Sequence, residues 1–474
     1  MNIEKKKTKI VCTIGPATSS VEKLSELLNA GMNVMRLNFS HGDFAEHQEK
    51  VDNARIAFEK TGRTAALLQD LGGPKIRIGD FRDGMITLKE GAKFTLTTDD
   101  VVGDEHKVSV NYKPLPRELQ KGSMIKLHDG KKRLEVLEIK GNDLICKVIV
   151  GGEIKSRRGI NLPGAHLSVA SLSEKDKSDV QFGIKNKVDF IAFSFVRRAS
   201  DVVELREILK KAKSDAQIVA KLEDTEALEN VDELIALVDA VMIGRGDFAI
   251  EIEAENMPLV QKMITEKCNR AGKPVITATQ MMESMISSPV PTRAEVSDCA
   301  NAILEGTDAI MLSEETTLGK YPVEAVQMMA KIAGKLDPAV ATRPLFNGGV
   351  KAGERNITDA VSASVVGTAR EVGAKIIVAF TATGFTARMI SRYKPSQPII
   401  ALTPSVRVAN QLRLTWGVIP VVMPKITAHA DVLKAVRAEV RRLKIGEKGD
   451  LAVIAAGIPL GKLGSTNTMH VEVI

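Results

Sequence analysis

The sequence contains few cysteines and few aromatic residues, and each shortage excludes a class of protein. The four cysteines, Cys12, Cys146, Cys268 and Cys299, are far apart, form no CxxC pair and have no histidine at ligand spacing. We therefore expect free, buried thiols rather than a zinc site or a disulfide framework. Aromatic residues make up 4% of the chain, with one tryptophan and three tyrosines. Few side chains are thus available for stacking on nucleic-acid bases.

The sequence also lacks long apolar runs and strong local concentrations of charge. No stretch approaches the roughly 18 apolar residues of a membrane-spanning helix. The basic first residues precede an apolar run that is too short for a signal peptide. Lysine and arginine number 66 against 59 aspartate and glutamate residues, but the excess is spread along the chain. We expect a cytoplasmic protein that binds neither membranes nor nucleic acid and whose charge suits small phosphorylated substrates.

A repeated pattern of apolar run, polar turn and helical segment occupies residues 9–73 and 171–342. The apolar runs lie at 9–15, 33–39, 64–70, 188–196, 217–223, 239–245, 274–280 and 308–314. Short, nearly continuous apolar runs are typical of strands that are buried on both faces. Eight such strands alternating with helices predict an α/β fold, a (β/α)8 TIM barrel, with an open doubly wound sheet as the alternative.

Two segments depart from this pattern and predict further domains. Residues 74–170 read as short strands with Gly- and Asp-rich turns, which predicts a small all-β lid domain inserted after the third barrel strand. At that place it would cover the barrel mouth and exclude water. Residues 343–474 alternate helices and strands and predict a C-terminal α/β domain. The catalytic barrel would then comprise residues 1–73 and 171–342.

Polar residues gather where the predicted barrel strands end. They are Arg36, Asn38, Ser40, His41, Asp70, Lys221, Glu223, Arg245, Asp247, Thr279, Ser313 and Glu315. Barrel closure would bring them to one rim. Glu223 and Asp247, with no histidine or cysteine nearby, suit Mg²⁺ or Mn²⁺. Lys221, Arg36 and Arg77 beside a metal favour phosphoryl transfer, although Lys221 and Glu223 could also form a merely structural salt bridge.

Several longer strings show that the chain resembles the pyruvate kinase family over essentially its whole length. They include KTKIVCTIGPAT, MRLNFSHG, GPKIR, RRGINLPG, VAKLED, GRGDFAIEI and the run that begins ITATQMMES. The resemblance implies a glycolytic enzyme that transfers a phosphoryl group from phosphoenolpyruvate to ADP and gives pyruvate and ATP. It also implies a homotetramer.

The same resemblance implies roles for individual residues. The implied catalytic residues are Lys221, Thr279, Arg36 and Arg77, the substrate-binding residues Gly246, Asp247, Thr279 and Lys221, the nucleotide-binding residues Asn38, His41, Arg36 and Arg158, and the metal ligands Glu223 and Asp247. Lys221 would stabilise the phosphoryl group in transfer and the enolate. Thr279 would lie near the enolate carbon that is protonated. Ser313 and Glu315 would support the rim.

The chain departs from the family pattern in the region of a monovalent cation, which would comprise Asn38, Ser40, Asp70 and Lys75. Many members carry a threonine after the third-strand aspartate and a glutamate in GPEIR, and they require K⁺. Here these positions hold Leu71 and Lys75. We expect the Lys75 ammonium group to replace the monovalent cation near Asp70, so that K⁺ is not required.

In the C-terminal domain, TATGFTARMISRY resembles the effector loop of allosteric pyruvate kinases. The residues implied to bind a phosphorylated effector are Thr381, Thr383, Gly384 and Thr386, with Lys462 on a second loop. A plain strand–helix turn is the alternative. If the loop binds an effector, residues 343–474 form a regulatory domain.

One alternative function belongs to a different class, a non-catalytic paralogue that binds metabolites and regulates a partner. Its motivation is the unusual Leu71, His128 and Glu314. The retained Lys221 and the two retained metal ligands favour the active kinase. Another barrel enzyme acting on phosphoenolpyruvate or an oxo acid would not account for the lid and the effector loop together.

Overall fold

The computed structural model describes residues 6–342, 356–425, 429–458 and 466–474. The chain starts with β1 (Lys9–Thr13), α1 (Val21–Ala30), β2 (Val34–Asn38), α2 (Phe44–Thr61) and β3 (Ala66–Asp70). Helix α1 begins where Ser20 accepts a hydrogen bond from the Lys23 amide, and it ends at Gly31, whose φ of 119° favours glycine. The three strands are almost fully buried, as expected from their continuous apolar sequence.

The segment after β3 forms a small all-β domain at the place of the predicted lid. Its elements are β4 (Met85–Leu88), β5 (Lys93–Thr97), β6 (Lys107–Ser109), α3 (Leu115–Glu118), β7 (Met124–Leu127), β8 (Lys132–Lys140), β9 (Asp143–Val150), β10 (Gly152–Lys155) and β11 (Ile160–Asn161). One sheet has the order β11-β7-β8-β9-β5-β6, and β10 pairs with β4 in a second. Alternate side chains enter a separate apolar core, where Leu134 lies opposite Val148 and Val136 opposite Cys146.

The chain then completes the barrel. The elements are α4 (Glu174–Lys185), β12 (Phe190–Phe193), α5 (Ala199–Lys211), β13 (Gln217–Leu222), α6 (Thr225–Glu229), α7 (Val231–Leu237), β14 (Ala240–Gly244), α8 (Arg245–Glu251), α9 (Met257–Ala271), β15 (Val275–Ala278), α10 (Arg293–Glu305), β16 (Ala309–Leu312), α11 (Glu314–Thr317) and α12 (Pro322–Thr342). Eight parallel strands close in the order β1-β16-β15-β14-β13-β12-β3-β2. The predicted (β/α)8 barrel is confirmed, and the open doubly wound sheet is excluded.

The last part of the chain is an α/β domain, also as predicted. It contains α13 (Ile357–Glu371), β17 (Ile376–Phe380), α14 (Phe385–Ser391), β18 (Ile399–Thr403), α15 (Val406–Gln411), β19 (Val418–Val422), α16 (His429–Leu443), β20 (Leu451–Ala456) and β21 (Thr468–Val473). The sheet order is β19-β18-β17-β20-β21, with β21 antiparallel to β20. None of the helices in the described ranges combines the length and apolar character that crossing a membrane requires.

The two ends of the barrel have different neighbours. At the amino-terminal end, Leu414 of the C-terminal domain joins the apolar cluster inside the barrel. There the buried Lys394 also pairs with Asp308, just before β16, at 2.9 Å. The carboxyl ends of the strands lie at the opposite rim, on the side from which the lid emerges after β3. This arrangement leaves the carboxyl rim as the place for a site.

Candidate active site

A buried network of charged side chains forms where β2, β3 and β13 end. Arg36 on β2 contacts Asp70 Oδ2 through both Nε and Nη2 at 2.6 Å. On the other side of the carboxylate, Lys221 Nζ lies 3.2 Å from Asp70 Oδ1 and 3.1 Å from Glu223 Oε1. The Lys221–Glu223 ion pair that the sequence left open as purely structural is therefore one part of a larger cluster at the predicted rim.

The neighbouring charges determine the protonation states of Asp70 and Lys221 in this network. Burial alone would raise the pKa of Asp70, but the charges of Lys221 and Arg36 outweigh it and hold that pKa below its usual value. Burial alone would lower the pKa of Lys221, but the carboxylates of Asp70 and Glu223 outweigh it and raise that pKa. Lys221 is therefore protonated and positively charged, and its side chain is 13% exposed. Such a group stabilises negative charge that develops on a substrate.

Glu223 and Asp247 are the candidate ligands for a divalent metal. Both line one cavity, and Asp247 lies in the first turn of α8. Burial raises the pKa of Glu223 to about 7, the Lys221 charge opposing the rise and the Asp247 carboxylate adding to it. A cation between the two carboxylates would relieve this repulsion, so the donor set fits Mg²⁺ or Mn²⁺. In the described ranges, no three His, Cys, Asp or Glu side chains converge on one metal position.

The start of α8 and the turn after β15 are joined by a direct contact. The Gly246 amide donates a hydrogen bond to Thr279 Oγ1 at 2.9 Å. The other side of the turn is held by Glu315, whose carboxylate accepts the amides of Ser313 at 2.7 Å and Met282 at 3.1 Å. The predicted supporting role of Ser313 and Glu315 therefore has a geometric counterpart, because Glu315 ties the end of β16 to the segment that follows Thr279.

The lid and the barrel mouth enclose a cavity of about 490 Å³, within the size range of small-molecule sites. The barrel contributes His41, Phe195, Arg197, Glu223, Asp224, Thr225, Glu226, Asp247, Glu251 and Glu314 to its wall. Residues 74–169 contribute Pro74, Lys75, Ile76, Arg77, Asp129, Arg158, Gly159, Ile160, Asn161, Leu162, Ala165, Leu167 and Val169. The cavity thus brings predicted nucleotide, metal and cation residues to one place, with the buried Asp70 and Arg36 and the half-buried Lys221 at the neighbouring strand ends.

The turn after β2 carries the residues predicted to contact the nucleotide. Asn38 Oδ1 accepts the Ser40 amide at 3.1 Å, which shapes the turn, and His41 follows on the cavity wall. His47 supports the turn from α2, since its Nε2 lies 3.0 Å from the His41 carbonyl oxygen. Its ring stacks on Phe39 with centroids 3.9 Å apart. The polar turn that carries His41 is therefore held by His47, whose buried ring packs on Phe39.

Two arginines predicted for phosphate contacts lie on the lid side of the cavity. Arg77 is exposed, and its Nη1 donates to the Arg157 carbonyl oxygen at 2.9 Å. The Nε of Arg158 is buried and has no hydrogen-bond partner among the described residues. Guanidinium groups on a cavity wall are suited to bidentate binding of phosphate oxygens.

Lys75 lies on the cavity wall at the beginning of the lid, and its side chain is exposed. Among the described residues, the side-chain contacts of Asp70 are with Arg36, Lys221 and Ser194. The structure therefore brings Lys75 into the same cavity as Glu223, while the charge of Asp70 is balanced by other cations. A direct pair between Lys75 and Asp70 is not part of this arrangement.

The residues predicted for an effector lie between the end of β17 and the first turn of α14. They are Thr381, Thr383, Gly384 and Thr386. Gly384, with a φ of 82°, precedes α14, which has seven residues. The Thr386 hydroxyl lies 2.8 Å from the Thr466 hydroxyl, which links this turn to the C-terminal strand region. Lys462 lies outside the described residues.

Several residues of the site were not predicted. Ser194, just after β12, accepts a hydrogen bond from Lys221 at 2.7 Å, and the Phe195 amide donates to Glu223 Oε2 at 2.9 Å. The rule that polar residues follow strand ends would have found Ser194. Glu251 gave no such signal, because it lies in the last turn of α8. Burial raises its pKa to about 7, with the Asp224 carboxylate adding to the rise.

Comparisons with known proteins agree with this geometry. The family described as "Pyruvate kinase, barrel domain" matches residues 5–326, and "Pyruvate kinase, alpha/beta domain" matches residues 359–472. The chain is 46% identical to a pyruvate kinase of Geobacillus stearothermophilus over 99% of its own length and 81% of that protein. It is 45% identical to a pyruvate kinase of Staphylococcus saprophyticus over 99% and 80%. The crystal structure of a pyruvate kinase from Cryptosporidium parvum superposes with a TM-score of 0.94 at 37% identity, covering 99% and 96% of the chains.

Proposed function

The chain belongs to the pyruvate kinase family and is a phosphotransferase, and from this premise we propose which of its residues transfer a phosphoryl group from phosphoenolpyruvate to ADP. Both substrates bind in the cavity between lid and barrel. The observation that carries this proposal is the position of the Lys221 cation at 3.1 Å from Glu223, which lines that cavity together with Asp247. A cation beside two carboxylate metal ligands is an arrangement suited to phosphoryl transfer.

Different residues carry out different parts of the reaction. Glu223 and Asp247 hold Mg²⁺ or Mn²⁺, which when bound supplies positive charge to phosphoryl and carboxylate oxygens. Lys221 stabilises the transferring phosphoryl group and the enolate, whose charge is largest after the phosphoryl group has left. The Gly246 and Asp247 backbone binds the carboxylate of the substrate. Thr279 lies at the enolate carbon that takes up a proton.

A second set of residues binds ADP and its phosphates. Arg77 and Arg158 line the cavity from the lid, and His41 lines it from the barrel. Arg36 and Asn38 act from the end of β2, where Arg36 is held by Asp70 and Asn38 shapes the turn that carries His41. Closure of the lid would exclude water from the transferred group, which limits its loss to hydrolysis.

Lys75 makes the activity independent of K⁺. Its ammonium group takes the place of the monovalent cation in a region that also includes Asn38, Ser40 and Asp70. The support is its position on the cavity wall and the apolar Leu71 next to Asp70, which offers no side-chain oxygen to a bound cation. A tethered ammonium group supplies the same charge without an ion-binding step.

The remaining proposals follow from the family alone. The enzyme is a homotetramer in the cytoplasm, residues 1–73 and 171–342 are its catalytic domain, and residues 74–170 are its lid. Residues 343–474 form a regulatory domain in which a phosphorylated effector binds at Thr381, Thr383, Gly384 and Thr386.

The test is pyruvate formation from phosphoenolpyruvate and ADP with Mg²⁺, without K⁺ and then with KCl replacing tetramethylammonium chloride at constant ionic strength. We expect full activity without K⁺. Lys75→Glu should lower the K⁺-free rate and make it rise with K⁺, because the tethered charge is reversed. Lys121→Glu, at an exposed lysine elsewhere on the lid, is the matched control and should behave as wild type.

Three results would contradict these proposals. A wild-type rate that depends steeply on K⁺ would overturn the role of Lys75 and leave the kinase intact. Unchanged K⁺ independence in Lys75→Glu would overturn it equally. No pyruvate under either condition, from protein that is folded, would overturn the assigned catalytic roles and favour the non-catalytic paralogue.

A further inference from the structure

We propose that Arg245 is a positioning residue for the step in which the enolate carbon is protonated, and that it acts by holding the turn that carries Thr279. The inference rests on the role proposed above for Thr279. It adds a residue whose side chain is directed to the protein rather than to the substrate. The family resemblance assigned no role to this side chain.

The turn after β15 has an unusual backbone conformation. Thr279 and Gln280 have φ values of 68° and 52°, so two consecutive residues other than glycine adopt the left-handed region. This region is rarely occupied by β-branched residues such as threonine, because the branched side chain crowds the backbone. Such a conformation persists only where surrounding contacts hold it. The Thr279 hydroxyl therefore depends on those contacts for its position.

The guanidinium group of Arg245 contacts three residues at this turn. Its Nε donates to the Ala278 carbonyl oxygen at 3.0 Å, and its Nη2 donates to the Thr279 carbonyl oxygen at 2.6 Å. The same Nη2 lies 2.7 Å from Met281 Sδ. Because the guanidinium is planar, these contacts fix the two carbonyl groups relative to each other. A lysine has one nitrogen and could not reproduce this geometry.

Arg245 is itself held in place from the opposite side. Its Nη1 donates to Asp298 Oδ1 at 2.8 Å and to Gln261 Oε1 at 3.4 Å, from helices α10 and α9. Its side chain is 13% exposed. The guanidinium thus links two helices of the barrel to the turn after β15. Its orientation is set before any substrate binds, which is what a positioning role requires.

The consequence for the hydroxyl follows from two further hydrogen bonds. Thr279 Oγ1 donates to the Ala278 carbonyl oxygen at 2.7 Å and accepts the Gly246 amide at 2.9 Å. Arg245 precedes Gly246 in the chain and also donates to the Ala278 carbonyl oxygen. One side chain therefore fixes both the acceptor of the hydroxyl and the helix that donates to it. Loss of the guanidinium would free the turn to relax and would move the hydroxyl away from the substrate carbon.

The step can be measured alone through exchange of the pyruvate methyl hydrogens with solvent deuterium. Exchange breaks a C–H bond to give the enolate and then forms a C–D bond at the same carbon, with no net oxidation. We would measure it by NMR in D₂O with Mg²⁺ and ATP, and compare it with KM for ADP in the forward reaction. Arg245→Met should lower the exchange rate roughly tenfold to hundredfold, while KM for ADP stays within about twofold of wild type.

Two further variants keep the test decisive. Arg245→Lys retains a positive charge beside Asp298 and should still lose exchange, because it cannot hold both carbonyl groups. Arg245→Lys also replaces Arg245→Met as the test variant if Arg245→Met does not fold. Arg270→Met, at an exposed arginine in the last turn of α9, is the matched control and should exchange as wild type. In a Thr279→Ala background, Arg245→Met should cause little further loss, since the hydroxyl it positions is already absent.

The outcomes separate this inference from the proposed function. Exchange at the wild-type rate in both Arg245 variants overturns the inference, while loss in Thr279→Ala alone leaves the role of Thr279 intact. If the exchange rate of the double variant falls by the product of the two single losses, the two residues act independently, and the inference is also overturned. If Thr279→Ala exchanges as wild type, the proposed role of Thr279 is wrong, and the inference is overturned with it.

Discussion

The ammonium nitrogen of Lys221 lies 2.7 Å from the hydroxyl oxygen of Ser194, a residue on the neighbouring strand end. Ser194 in turn donates to the Leu71 carbonyl oxygen at 2.6 Å and lies 3.4 Å from Asp70 Oδ1. One hydroxyl group therefore joins the ends of β3, β12 and β13 around the Lys221 cation. The lysine side chain is flexible, and this contact holds its ammonium group in a position that the neighbouring barrel strands determine.

Ser194→Ala should lower kcat/KM for phosphoenolpyruvate by roughly tenfold to hundredfold. The reason is that a hydrogen bond to a charged group contributes about 1.5–3 kcal/mol, and this one sets the position of the catalytic cation. The measurement is steady-state kinetics with each substrate varied in turn. Ser25→Ala, which removes a hydroxyl on α1, is the control and should retain wild-type kinetics. A Ser194→Ala enzyme of wild-type efficiency would show that Lys221 needs no such support.

His47 makes the stability of the protein depend on pH. Burial lowers the pKa of His47 from 6.5 to about 4, with the Lys50 charge adding to the effect. Between these two values the unfolded chain binds a proton that the native protein does not. The stabilising contribution is therefore complete above pH 6.5 and is lost as pH falls through about 4. We expect the free energy of unfolding of wild type to fall by about 3 kcal/mol over this window from His47 alone.

The measurement is urea unfolding at several pH values for wild type and His47→Gln, because only the difference isolates this residue. The variant should lose the His47 part of the pH dependence while carboxylates such as Asp189, whose pKa burial raises to about 6, act in both proteins. KM for ADP should also rise, since His47 supports the His41 carbonyl. His106→Gln, at an exposed histidine, should leave both properties unchanged. Parallel pH profiles for wild type and His47→Gln would rule out this explanation.

Lys394 attaches the C-terminal domain to the amino-terminal end of the barrel. Its fully buried Nζ lies 2.9 Å from Asp308 Oδ1 and 5.3 Å from the centroid of the Trp416 ring. Lys394→Met should lower the free energy of unfolding by about 3–5 kcal/mol, because it leaves a buried carboxylate without its cation. Denaturant unfolding would measure this loss. Activity in dilute buffer should persist, since the residue lies at the end of the barrel opposite the site.

Two variants control this experiment. Lys375→Met, at an exposed lysine of the same domain, should have little effect on stability. Lys394→Met combined with Asp308→Asn should recover part of the loss, because the uncompensated charge is removed along with its partner. A Lys394→Met protein as stable as wild type would mean that the hydrogen bonds from Trp416 and Val275 to Asp308 are sufficient by themselves.

The barrel could be predicted from the sequence because burial on both faces of a parallel strand demands continuous apolar residues. Each of the eight predicted runs contains one strand, but the strands are shorter. The run at 308–314 contains β16 over Ala309–Leu312 only, since Asp308 accepts hydrogen bonds from the neighbouring domain and Ser313 begins the turn to α11. The polar ends of such runs belong to the turns, which is also why they mark the site.

The pairing of the charges could not be predicted. The sequence indicated that Arg36, Asp70, Lys221 and Glu223 would share a rim, and it led us to expect Lys75 near Asp70. In the structure Arg36 and Lys221 share Asp70 between them. Which cation meets which carboxylate depends on strand register and on side-chain reach across the barrel, and neither is visible in the order of residues along the chain.

Local sequence patterns were sufficient to predict the alternation of strands and helices, the family and the charged residues at the strand ends. Each of these features depends on residues that are close together in the chain or on a contiguous string. Barrel closure alone made Ser194 a partner of Lys221 and made Arg245 the support of Thr279. These pairs are separated by 27 and 34 residues. Hydrogen bonds act over about 3 Å, so only the folded chain selects them.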